Sequence, residues 1–237
     1  MKFLRFYFLF LPLVISCSRP TDSSETLSAL QRQGDALPAN SANPYDEAGR
    51  VYYELIRSYY SESYQPLSYS GIIGTLTTLA NAQPSFLALT TQKPYVFAAE
   101  ERSAYLVSQS GNCLDEVIAT SLSSADARSS LKQFVTTLMD LSSTEEEYSG
   151  LYEFIATYED AVLADGQLSG YEQNVILTAT SIARYTVYAK KKKPKKNTDP
   201  DWTLLIGNIT AAIDGAAVGI DEAVMRAAVV GIVENMP

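Results

Sequence analysis

The chain has no histidine in its 237 residues. That absence excludes a Ser-His-Asp triad, a Cys-His pair, imidazole metal ligands and an imidazole pH switch. Cysteine is nearly missing as well, with only Cys17 and Cys113 present. Cys113 lies beside Asn112 and Asp115-Glu116 with no neighbouring base. It reads as an inert, half-buried thiol rather than a nucleophile. Positive charge is scarce: 18 Lys and Arg stand against 27 Asp and Glu, a formal net charge of −9. No nucleic-acid partner is expected, because phosphate binding needs the opposite sign. There is no phosphate-cradling glycine loop, no dinucleotide glycine pattern and no G-x-S-x-G elbow.

What is present begins with a leader. Lys2 and Arg5 form a basic start, and Phe6 to Ile15 carry no charge. A spanning helix needs roughly 20 apolar residues, so this segment is too short to remain as one. It closes on Val14-Ile15-Ser16-Cys17. This resembles the lipobox of bacterial lipoproteins, which implies cleavage before Cys17 and lipidation of its thiol. Ser18 rather than Asp follows Cys17, and no acidic cluster comes next. Within that class, the pattern implies the outer membrane, facing the periplasm. Two or more acyl chains anchor stably where one binds marginally. Three regions are expected: residues 1–16 as signal peptide, 17–43 as lipidated cysteine and flexible tether, and 44–237 as an all-helical domain. Loss of Lys2 and Arg5 leaves 16 bases against 27 acids, a charge of −11.

Residues 18–43 are rich in Ser, Thr, Ala, Gln and Asn, a tether composition. Asn43-Pro44-Tyr45-Asp46 then opens a helix, with Asn43 as N-cap and Asp46-Glu47 complementing the positive end. Ala48, Val51, Tyr52, Leu55, Ile56, Tyr59 and Tyr60 repeat at three- and four-residue steps. Further helices are expected over 68–82, 95–109, 114–122 and 124–141, with breaks at Pro66, Pro84, Pro94 and Gly111. Capping boxes at Thr144–Glu147 and Ser169–Glu172 predict two more, the second reaching Ala189. A last helical region starts at Asp199-Pro200 and is interrupted near Gly215 and Gly219. No stretch shows sustained alternation, so strands are not expected. The fold class is all-α, a single bundle of about seven or eight helices.

Asn43-Pro44-Tyr45-Asp46, Ser181-Ile182-Ala183-Arg184-Tyr185, Asp199 to Trp202 and Asp214-Gly215-Ala216-Ala217-Val218-Gly219 together resemble uncharacterised helical lipoproteins of bacteroidete-type bacteria. The resemblance is patchy over 43–235. It implies an all-helical envelope protein and no particular activity.

Several segments invite a functional reading. Lys190, Lys191, Lys192, Lys193, Lys195 and Lys196 crowd six cations into seven positions. They suit a solvated helix end, or contact with an anion such as lipid phosphate. Of 16 tyrosines, seven lie between Tyr45 and Tyr69. Most fall on the apolar helical face, whereas Tyr53 and Tyr64 lie off it and are the candidates for recognition. Asp165 to Glu172 matches the back half of a calcium loop, but Ala161 and Leu163 occupy the first two ligand positions. A helix–turn–helix with a capping box explains the same residues. Gly215-Ala216-Ala217-Val218-Gly219 permits close helix approach. Asp214, Asp221, Glu222 and Arg226 interrupt the apolar tail, which argues for burial in a bundle over membrane insertion.

No residue is singled out as catalytic, as a metal ligand or as a cofactor contact, and an enzyme is not favoured. The expected function is a lipid-anchored envelope protein with a binding or structural role. Its expected partners are the membrane through Cys17 and an unidentified envelope protein or glycan. The alternatives are a carboxylate-dependent hydrolase of cell-wall or glycan material, and a membrane-active protein using the Gly/Ala-rich tail.

Overall fold

The computed structural model describes residues 38–109, 112–144, 147–192 and 205–236, with backbone only for residues 190–192 and 205. The described residues belong to one compact unit. Among them are ten helices and no strand. In chain order these are α1 Asp46–Ser61, α2 Tyr69–Ala82, α3 Pro84–Leu89, α4 Glu100–Gln109 and α5 Leu114–Ser121. There follow α6 Ala125–Thr144, α7 Tyr148–Ala164, α8 Gly170–Lys192, α9 Leu205–Ala216 and α10 Ile220–Glu234.

The last three helices form the interior. Every residue is buried across 175–189 of α8, 207–216 of α9 and 223–232 of α10. A helix apolar on all sides is stable only when other helices surround it. Here α8 packs on α1, α7 and α9, while α10 packs on α9, α1, α2 and α4. The amphipathic α1, α6 and α7 each turn one apolar stripe inward, through Leu55 and Ile56, Leu131 and Leu138, and Leu151 and Ile155.

Buried hydroxyls in α8 are satisfied locally. Thr186 Oγ1 donates to Ile182 O at 2.8 Å, and Thr180 Oγ1 to Leu177 O at 3.2 Å. Ser181 Oγ donates to Asp46 O and accepts from Gly49 N, both at 3.0 Å. A Cβ on Gly49 would lie 2.5 Å from Ser181 O, so this approach of α1 to α8 requires glycine. The α9–α10 hairpin depends likewise on Gly215, where a Cβ would lie 2.5 Å from Ala223 Cα and from Glu222 O. Of the small-residue pair Gly215 and Gly219, Gly215 makes the close approach, whereas Gly219 lies in the turn ahead of α10.

Several local expectations need correction. Order starts before Asn43: Pro38 is buried, and residues 38–42 are hydrogen-bonded rather than free tether. Asn43 is not a helix cap. Its Oδ1 accepts from Tyr45 N at 2.8 Å, two positions on, while its amide faces the core. Pro84 both follows α2 and opens α3, a helix the sequence reading omitted. The helix expected from Tyr95 starts only at Glu100. Tyr95 and Phe97 are buried while Val96 and Ala98 are exposed, an in-out alternation that belongs to extended chain. Asn81 secures it, accepting from Tyr95 N and donating to Tyr95 O, both at 2.9 Å. The box at Thr144 does not form, because its hydroxyl bonds back to Asp140 O at 3.1 Å and extends α6. The box at Ser169 does form. Ser169 Oγ accepts from Glu172 N at 3.2 Å, and Glu172 Oε2 accepts from Ser169 N at 3.1 Å.

Candidate functional site

A groove of about 990 Å³ opens between the start of α4 and the turn joining α9 to α10. One wall is Ala98, Ala99 and Ala104 with Tyr69 beside them. Val218, 67% exposed at the hairpin tip, forms the other. Glu100 and Glu101 stand at the rim, and Arg102, Glu222 and Arg226 line the floor. The alternation at residues 95–98 turns the alanine of Ala98 outward, and α4 begins where the acids complement its positive end. Tyr69 OH donates to Glu100 O at 2.8 Å, which ties α2 to this wall. Burial raises the Tyr69 hydroxyl to about 12, so it stays a donor.

Beneath the groove runs a chain of charges. Arg102 reaches Asp214 Oδ1 through Nε at 2.8 Å and Nη2 at 2.7 Å, and Glu116 through Nη1 at 3.1 Å. Arg226 takes the other oxygen of Asp214 and holds Glu222 at 2.9 Å. Tyr95 OH donates to Glu222 Oε1 at 2.8 Å, and Tyr105 OH donates to Glu116. The hydrogen bond to Asp214 raises the Arg102 guanidinium further above its ordinary value. The bonds from Tyr105 and Arg102 hold the Glu116 carboxyl below the usual range. Burial, then Glu222, pushes Tyr95 strongly upward, so it remains a donor. Each arginine is thus neutralised by this chain's own carboxylates. Cys113 lies nearby, buried and without a disulfide, and its thiol is pushed up by burial first. The protonated form is favoured, as suits an inert side chain.

A second polar cluster lies inside the bundle. Arg184 and Glu159 are both fully buried and 3.3 Å apart, and Arg184 also binds Asp46 at 2.7 Å. Asn43 Nδ2 donates to Glu159 at 2.9 Å and to Leu177 O at 3.0 Å, while Asn40 Nδ2 donates to Glu159 at 2.7 Å. Arg184 further donates to Pro38 O. Asn43 to Asp46 and Ser181 to Tyr185, far apart in sequence, therefore meet around one buried glutamate. Buried charges demand such partners. The cluster positions the entering chain.

The residues predicted from sequence scatter. Cys17, Lys193, Lys195 and Lys196 lie outside the described residues, and so do the side chains of Lys190, Lys191 and Lys192, which belong to the end of α8. Tyr64 is 74% exposed in the loop before α2, away from the groove lining. Tyr53 is not a surface ring. It is 7% exposed and packs on Tyr185 at 6.2 Å and Tyr188 at 5.7 Å, because α8 covers that side of α1 too. Glu172, the last position of the calcium-loop pattern, caps α8 and also accepts from Ser124 N at 2.8 Å, ahead of α6. These backbone bonds lower its carboxyl to about 2. Among the described residues no three acidic or thiol side chains converge as metal ligands would. The groove residues Arg102, Glu222, Arg226 and Val218 were missed as a site. The signal for Glu222 and Arg226 was their place, with Asp214, within an otherwise apolar tail, where a charge needs a partner once buried; Arg102 and Val218 gave none. Comparison with family models, with curated proteins and with solved structures finds no match for this chain.

Proposed function

We propose that this chain is a lipid-anchored envelope protein whose helical domain binds a partner in the groove between α4 and the α9–α10 turn. The observation that carries the binding role is the groove itself, about 990 Å³ with exposed small apolar walls. Its floor carboxylates are committed to arginines, which suits holding a ligand better than proton transfer. The anchoring role is supported by the resemblance of Val14 to Cys17 to a lipobox, and an outer-membrane address facing the periplasm by Ser18 in place of Asp after Cys17. A membrane-active tail has less support. Asp214 and Arg226 tie the buried hairpin to itself and to α4, and no described helix is long and apolar enough to cross a membrane.

A photo-crosslinking residue at Val218 tests the binding reading in intact cells. A discrete adduct is expected there, and none from the same residue at Tyr64. No adduct at Val218, or equal adducts at both sites, removes the reading.

A further inference from the structure

We propose that the groove accepts an extended peptide segment carrying basic side chains, supplied by another envelope protein; this rests on the binding role above. Three independent features converge on that chemistry.

The first is charge. Glu100 and Glu101 are exposed at the rim and form no ion pair among the described residues. Glu116, Asp214 and Glu222 sit below them, so five carboxylates face only two guanidiniums, Arg102 and Arg226. An anionic ligand would have to break those pairs, whereas a cation finds unspent negative charge.

The second is backbone. Residues 96–98 run extended up to the groove, whose wall starts at Ala98, and the N–H and C=O groups of Val96, Phe97 and Ala98 make no hydrogen bond among the described residues. A short unpaired edge of this kind is what an added extended segment pairs with. Val96, 55% exposed, and Ala98, also exposed, keep this stretch at the surface beside the groove.

The third is wall chemistry. Ala98, Ala99, Ala104 and Val218 offer shallow apolar seats for small side chains spaced between basic ones. A glycan would need open aromatic faces. Among the lining residues Tyr69 is the one aromatic ring, too few for a sugar-stacking platform.

The test uses the mature lipoprotein in non-ionic detergent and an end-blocked, fluorescent octapeptide of alternating Ala and Lys, read by anisotropy. Saturable binding is expected, weakening with salt, and absent for an alternating Ala-Glu octapeptide. Replacing both rim acids (Glu100→Gln with Glu101→Gln) should weaken binding about three- to tenfold, the scale of two exposed ion pairs. Val218→Arg, at an exposed tip where folding tolerates it, should abolish binding. The proposal is overturned if the Ala-Lys peptide shows no saturable binding, or if binding ignores both variants. It is overturned equally if an N-acetylhexosamine oligosaccharide binds in the peptide's place. A Val218 adduct in cells without peptide binding in vitro would leave the binding role standing and remove only the basic-peptide class.

Discussion

Single buried charges carry most of the specific information in this protein. Arg184 and Glu159 illustrate the rule that removing one partner is worse than removing both. Arg184→Leu leaves Glu159 dehydrated and unpaired, and should lower unfolding free energy by about 3–5 kcal/mol, read from urea midpoints. Arg184→Leu with Glu159→Leu should recover part of that loss. Glu234 presents the opposite case. Among the described residues neither of its buried carboxyl oxygens has a hydrogen-bond partner beside Gly207, and burial raises its pKa from 4.5 to about 7. A raised carboxyl favours the neutral form in the folded state. Its contribution is therefore fully present below about pH 4.5 and is lost as pH rises through about 7. Glu234→Gln should make the chain more stable at pH 8 by about 1–2 kcal/mol, less than the full shift because solvent still reaches the residue, and leave stability at pH 4 nearly unchanged. Urea melts at the two pH values decide this, and equal effects at both would contradict it. The Arg184 arrangement could not be read from sequence, since nothing local tells which acid a mid-helix arginine will meet. The clue was its presence in a run of apolar and hydroxyl residues.

Helices were the legible elements. The three- and four-residue steps of α1 and α6, the Ser169–Glu172 cap and the break near Gly215–Gly219 all follow from local geometry, and the structure contains them. Errors arose where a competing contact outweighed the expected one. Thr144 had the chemistry of a cap but bonded backward along α6. Tyr95 followed a proline, yet Asn81 took both its backbone groups and kept it extended. The alternation from Tyr95 to Ala98 was visible, but four residues are too few to outweigh a helical reading. The α9–α10 pair rests on backbone contact at Gly215. Gly215→Ala would force a Cβ against Ala223 Cα and Glu222 O, backbone atoms that cannot rotate away. A loss of about 1–3 kcal/mol is expected, measured by thermal or urea unfolding, even though alanine is the better helix former. A neutral or stabilising result would mean the hairpin can separate without cost.

For the whole molecule, attachment and folding are separable expectations. Cys17→Ser should abolish incorporation of a radiolabelled or alkyne-tagged palmitate and move the protein from the membrane to the soluble fraction. Its unfolding midpoint should not change, because the described core is built from residues 38–236, remote in sequence from Cys17. Retained label in the variant would remove the lipoprotein reading. By itself, the sequence determined the all-helical class, most helix positions, the close packing at Gly215 and the absence of imidazole chemistry. Those follow from composition and from patterns spanning a few turns. Only the tertiary structure decided that α8 covers Tyr53, that Asn43 to Asp46 meet Arg184 around Glu159, and that Arg102, Asp214, Arg226 and Glu222 form one chain under a groove. The physical reason is range. Periodicity and capping act over three or four residues, whereas these partners lie up to 138 positions apart and are matched only when the core closes.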